Sequence, residues 1–153
     1  KTIRKKGIDL QLWKQGDRIT LENNVKLTVL HPTTSFNDEN PNKTSLVMKL
    51  IYKQNSFFMT GDIESDVEEK LIMSRIPLAS NILKIPHHGS NNSSSTAFLK
   101  TVKPELAIMS VGDGIKGLPG REALSRYREL AIPVLSTKKN GLIKVCSDGE
   151  KIT

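Results

Sequence analysis

At 153 residues the chain is one domain or part of one, because domains cluster at about 100–150 residues. With 37% hydrophobic and 25% charged residues it is ordinary globular material, and no apolar run approaches the roughly 20 residues that span a bilayer. The lone Cys146 excludes an intrachain disulfide and a cysteine-based zinc site, and the net charge of +7 comes from scattered lysines that read first as a solvated surface.

The chain opens on Lys1 inside what reads as a helix end, Lys1-Thr2-Ile3-Arg4-Lys5-Lys6-Gly7, so it is expected to be cut from something longer. Alternation then predicts strands over 8–13, 18–21 and 25–30, separated by the turn residues Lys14-Gln15-Gly16-Asp17 and Glu22-Asn23-Asn24. Residues 31–43 form a polar loop with Asn37, Asp38, Asn40 and Asn42. A hairpin follows, with strands at 44–52 and 56–59. After Thr60-Gly61-Asp62 the period changes: Ser65-x-x-Glu68 is a capping-box pattern, and Val67, Leu71 and Ile72 give a helix one apolar face that Pro77 closes. Next come a strand at 82–85, a helix over about 94–102, a strand at 106–111 and a helix at 121–130. Strands at 132–136 and 142–146 end the chain, joined through Lys138-Lys139-Asn140-Gly141. Strands alternating with helices from residue 44 onward predict an α/β layered fold, helices packed on a mixed sheet.

Two features sit just past the C-terminal ends of apolar strands, where open α/β sheets place their ligands. Asp62 in Phe58-Met59-Thr60-Gly61-Asp62 would, by itself, read as a turn residue or helix cap. The pair His87-His88, followed by Gly89 and Ser90, is harder to assign to structure, since neutral imidazole is the commonest side-chain metal ligand. A strand–helix–strand crossover joins the two features, so carboxylate and imidazole are expected to converge on one divalent ion, with oxygen and nitrogen donors suited to Zn²⁺ or Mn²⁺. Neighbouring side chains on an extended strand face opposite ways, so only one of the two histidines is expected to bind directly. His31, followed by Pro32, reads as a loop residue.

The order Leu30-His31-Pro32, Asn42-Lys43-Thr44-Ser45-Leu46-Val47, Thr60-Gly61-Asp62, Pro86-His87-His88-Gly89-Ser90 and Ser110-Val111-Gly112 resembles the metallo-β-lactamase-like domain of the ComEC family, from about residue 8 to residue 146. The resemblance implies a layered metallo-β-lactamase-like fold, with residues 1–153 as the C-terminal half of an αββα sandwich. It makes Asp62 the bridging aspartate and places the late histidine ligand in His87-His88. It puts Ser45 near the floor of the site and Ser90 and Ser94 in a loop able to bind a phosphate oxygen. Two departures stand out. The His-x-His-x-Asp-His cluster of the family's N-terminal half is missing, and Lys116-Gly117-Leu118-Pro119 lacks the histidine of the family's Tyr-Gly-His-Pro-like segment.

The implied function is a metal-dependent hydrolase, Zn²⁺ first and Mn²⁺ second, cleaving phosphodiester bonds of DNA during its uptake. The implied parent is a bacterial membrane protein with this domain outside the bilayer, joined to the upstream half of the domain and to a membrane-spanning channel. The fragment alone is expected to be inactive. Two other readings stand beside it: a free-standing metallohydrolase of a small phosphoester or lipid head group, and a non-catalytic module that binds nucleic acid through basic residues.

Overall fold

The computed structural model describes residues 5–33, 40–114 and 117–153. Lys1–Arg4 of the expected helix end, Asn37 and Asp38 of the polar loop, and Lys116 lie outside the described residues.

Among the described residues seven strands form one mixed sheet in sequence order: β1 (Arg18–Thr20), β2 (Lys26–His31), β3 (Val47–Tyr52), β4 (Asn55–Met59), β5 (Ile82–Lys84), β6 (Leu106–Met109) and β7 (Val134–Ser136). The first four are antiparallel neighbours; short turns join β1 to β2 and β3 to β4, and the longer segment 32–46 joins β2 to β3. From β4 onward the pairs are parallel, because each return passes through a helical crossover: α1 (Ser65–Met73), α2 (Thr96–Val102) and α3 (Arg121–Glu129). A one-turn helix, α4 (Thr137–Asn140), follows β7.

One sheet face carries the core. Phe58 of β4, Leu83 of β5 and Ala107 of β6 are fully buried in one cluster with Val67, Phe98, Val102 and Tyr127 of the helices, and the Phe58 and Phe98 rings lie 5.9 Å apart. The opposite face stays half-exposed. There Leu50, Tyr52, Phe57, Met59, Ile108 and Lys84 border an apolar hollow of about 480 Å³.

Four expectations need correction. Residues 8–13 pair with no strand, and Ile8, Leu10 and Leu12 are all more than half exposed, so their alternation lacks a partner edge. Residues 142–146 likewise form no ladder; a single bridge, Ser147 to Ile152, closes the tail. The turn expected at Lys138-Lys139-Asn140 is the helical turn α4, with the Ser136 hydroxyl accepting from Lys139 N. The capping box does not form: the cap of α1 is Glu64, and Glu68 points away from it into the core, where it bonds the backbone N–H groups of Ser94 and Ser95.

Candidate functional site

Strands β4, β5 and β6 are parallel neighbours, so the segments leaving their C-terminal ends share one rim of the sheet. Thr60-Gly61-Asp62 leaves β4, Pro86-His87-His88-Gly89 leaves β5, and Ser110 follows β6. Cross-bonds lock the first two together. The Thr60 hydroxyl donates to the Lys84 carbonyl at 2.8 Å, and His87 N donates to the Gly61 carbonyl at 3.2 Å. Gly61 turns at φ +58°, and an added Cβ would lie 3.0 Å from Ser45 Cβ, so a side chain has neither the conformation nor the room there. That close approach lets Ser45 Oγ accept from Asp62 N at 3.2 Å, bracing the turn from β3's side.

The histidine pair is not extended. His87 and His88 adopt left-handed φ values of 46° and 53°, and Gly89 continues at +81°. The premise that adjacent side chains face opposite sides therefore fails. The turn splays the two rings edge to face, with centroids 6.5 Å apart. Two consecutive left-handed non-glycine residues are costly, and such strain clusters at functional sites.

His88 is the imidazole brought to Asp62, its Nε2 lying 3.6 Å from Asp62 Oδ1. Its other nitrogen, Nδ1, donates to the Ser110 carbonyl at 2.6 Å. A carbonyl only accepts, so Nδ1 carries a proton, and when the ring is neutral it is the Nε2 lone pair that faces the carboxylate. Lone pair against carboxylate is repulsive unless something positive lies between them. Two donors on one tetrahedral ion, each with a bond of about 2.0–2.2 Å, stand about 3.3–3.6 Å apart. The pair fits the edge of a coordination shell, and the bond from the Nδ1 side is the usual outer support of a metal-binding histidine. Among the described residues, no group of three His, Cys, Asp or Glu side chains forms a complete cage.

Lys84 is a neighbour that sequence reasoning did not single out. Its ammonium donates to the Gly61 carbonyl at 3.1 Å and lies 3.7 Å from the same Asp62 oxygen. Burial pulls its pKa below the ordinary lysine value, and the Asp62 charge opposes that shift. The signal was available: next to the core residue Leu83, strand alternation turns Lys84 to the other face. Glu64 was also passed over; its Oε1 lies 3.3 Å from His87 Nδ1.

The serines divide. Ser45 braces the Asp62 turn, and Ser90 Oγ accepts from Asn92 N at 3.3 Å. Ser94 is not presented to a ligand. It is fully buried, its hydroxyl is bonded to the Tyr127 hydroxyl at 2.8 Å, and its carbonyl accepts from Arg126 Nε at 2.8 Å. Arg126 also donates to the carbonyls of Asn91 and Ser93, and Glu68 holds the N–H groups of Ser94 and Ser95. Burial raises the pKa of Glu68, opposed by those backbone bonds and by Arg126. His31, the last residue of β2, is buried and donates from Nε2 to the Lys43 carbonyl at 2.7 Å.

No protein-family model matches the chain. It is 32% identical over 140 residues to the competence protein ComA of Neisseria gonorrhoeae, an alignment covering 90% of this chain and 18% of that protein. It is 28% identical over 142 residues to the ComE operon protein 3 of Bacillus subtilis, covering 92% of this chain and 18% of the other. Recombination protein 2 of Haemophilus influenzae is 37% identical over 105 residues, covering 68% of this chain and 13% of that one. The chain belongs to the ComEC family. It spans less than a fifth of the length of these curated relatives. Among solved structures, it superposes with a TM-score of 0.54 and 14% identity on a protein from Parabacteroides distasonis described as a metal-dependent hydrolase, covering 88% of this chain and 60% of that one. The fold of this ComEC segment is metallo-β-lactamase-like.

Proposed function

We propose that this ComEC segment supplies the Asp62 and His88 ligands of a divalent-metal site in a hydrolase domain that cleaves DNA phosphodiester bonds during uptake. The observation that carries the reading is the pair itself: His88 Nε2, on a ring whose Nδ1 is held by the Ser110 carbonyl, facing a carboxylate oxygen at 3.6 Å. When bound, such an ion supplies Lewis acidity toward a phosphoryl group and acidifies water. Zn²⁺ suits the nitrogen and oxygen donors first, and Mn²⁺ second. The chain's own groups do the positioning: Ser45 and Lys84 hold the Gly61–Asp62 turn, and Ser110 orients His88. DNA as substrate is supported by the names of the relatives, competence and recombination proteins.

The remaining ligands come from the other half of the same domain. The matched hydrolase has two-fifths of its chain outside the superposition, and the half-exposed apolar sheet face here is the surface for a second layer to cover. In this reading the parent is a membrane protein with this domain outside the bilayer. Among the described residues, no helix is long and apolar enough to cross a membrane.

The test is Asp62→Ala in the intact protein. Loss of a ligand should cut DNA hydrolysis by at least about a hundredfold, with melting temperature nearly unchanged. A residue that only shapes a turn or cap would instead cost about 0.5–2 kcal/mol of stability and leave turnover per folded molecule intact.

A further inference from the structure

His31 closes β2 behind Val29 and Leu30, and all three side chains are buried. Three consecutive buried residues break the alternation of a strand. The cause is a bulge: the β2–β3 ladder slips by one residue, pairing Val29 with Met48 and His31 with Val47. Bulges re-aim a side chain. Here the ring of His31 is aimed at the segment entering β3, with Nε2 donating to the Lys43 carbonyl at 2.7 Å.

Lys43 belongs to a turn with little anchorage of its own. The 3-10 turn Pro41–Thr44 buries none of its side chains. It is closed internally by Ser45 N on the Asn42 carbonyl at 3.2 Å and by the Thr44 hydroxyl on the Pro41 carbonyl at 3.1 Å. Its outward side-chain ties are Lys43 Nζ to Asp66 Oδ2 at 3.5 Å, both about two-fifths exposed, and Asn42 Nδ2 to Glu64 Oε1 at 3.4 Å. An exposed ion pair contributes little, and 3.4 Å is long for a hydrogen bond. The bond from His31 is thus the short attachment of this turn to a buried group.

What the turn supports is Asp62. Two residues after Lys43, Ser45 lies against Gly61, and the Leu46 carbonyl stands 3.3 Å from the point a Cβ on Gly61 would occupy. Ser45 Oγ accepts from Asp62 N at 3.2 Å. The route from His31 to Asp62 is therefore short and made of formed bonds: ring to Lys43 carbonyl, two residues of backbone, hydroxyl to Asp62 N.

We infer that His31 is a positioning residue for Asp62, acting through the Lys43 carbonyl and Ser45 to hold the backbone from which the carboxylate projects. Without the His31 bond the turn keeps its internal closure but is free to lift away from Gly61, and Asp62 N loses its acceptor. Site groups need placement within about 0.5 Å, and outer supports of metal ligands are worth about 10–100-fold in metal affinity. The consequence for metal rests on the Asp62–His88 reading above. The bracing of the Asp62 backbone does not, and it is measured in the metal-free protein.

Two measurements on the intact protein test it. In the first, a chelator competes for Zn²⁺. His31→Leu fills the space without the donor and should weaken binding by about tenfold. His31→Gln carries an amide nitrogen at the reach of Nε2 and should restore most of the affinity. Ser45→Ala should cost as much as His31→Leu, and the two together no more than either alone, because both act along one path. His31→Asn, polar but too short to reach Lys43, should match His31→Leu and serves if that variant does not fold. In the second, amide exchange is followed in metal-free protein. Asp62 N–H should exchange several-fold faster in His31→Leu, while Leu83 N–H of the core strand β5 keeps its rate. An Asp62 exchange rate unchanged by the substitution would overturn the inference, whatever the melting temperature. So would unchanged zinc affinity in a protein that loses zinc on Asp62→Ala, or losses that multiply in the double variant. Zinc affinity that survives Asp62→Ala would instead sink the metal reading, and the exchange rate alone then decides the role of His31.

Discussion

The histidine turn at Pro86–Gly89 and the serine loop at Ser90–Ser95 are adjacent in sequence and opposite in character. In the loop almost every polar group is satisfied by a close hydrogen bond. Arg126 reaches three carbonyls at 2.8–2.9 Å, Glu68 takes two backbone N–H groups, and Ser94 and Tyr127 share a buried bond. In the turn and its surroundings the close ionic pairs stand at 3.3–3.7 Å: His87 with Glu64, His88 with Asp62, Lys84 with Asp62. Those groups are one-quarter to two-fifths exposed, whereas Glu68 and Ser94 are fully buried. Saturation marks the loop as scaffold, and unspent charge at coordination spacing is what supports the proposal that the turn is the working surface. Serines that looked like phosphate contacts thus belong in part to the support beneath the histidines.

The largest effect that would break this contrast lies in the scaffold. Glu68→Ala removes a buried carboxylate and leaves two N–H groups and Arg126 without it, so unfolding free energy should fall by about 3–5 kcal/mol. Denaturant midpoints measure it, and a loss under about 1 kcal/mol would deny the loop its structural role. The same residue makes a pH prediction. Because its folded pKa is raised, its contribution to stability is full below the ordinary glutamate value and declines as pH rises through the folded value. Wild-type stability should therefore carry a component that falls as pH rises above the ordinary glutamate value, and Glu68→Gln should flatten it.

A smaller effect sharpens the contrast from the other side. Lys84 places a positive charge against the oxygen that faces His88, and a dication entering there meets it. At separations near 6 Å in a water-like medium that repulsion is about 1.4 kcal/mol, so Lys84→Met should tighten divalent-metal binding by about tenfold. Competition with a chelator measures this in the intact domain. Weaker binding would mean that Lys84 serves the metal by holding the Gly61–Asp62 turn.

Much of this was legible in the residues. The switch from period 2 to period 3.6 after Asp62, and the apolar runs ending at Met59 and Ile85, placed Asp62 and the histidines at parallel strand ends, because a helical crossover leaves little choice. What stayed hidden had tertiary causes. Nothing local distinguishes Glu68 as a capping-box partner from Glu68 as a buried anchor, since the choice depends on where Ser94 arrives from a later segment. The left-handed turn at His87-His88 is set by cross-bonds to Gly61 and Ser110, not by propensity. The alternation at residues 8–13 read as a strand because alternation reports a face to bury and not whether this chain carries the partner edge.

The central claim is that Asp62 and His88 hold one ion. Crystals of the complete domain, grown with Mn²⁺ or Zn²⁺ and measured at the metal's absorption edge, test it most directly. The account predicts an anomalous peak bonded to both Asp62 Oδ1 and His88 Nε2 at about 2.0–2.2 Å, with His88 Nδ1 still on the Ser110 carbonyl. A metal bound elsewhere in the domain, with His88 Nε2 hydrogen-bonded to Asp62 and no ion between them, would contradict it.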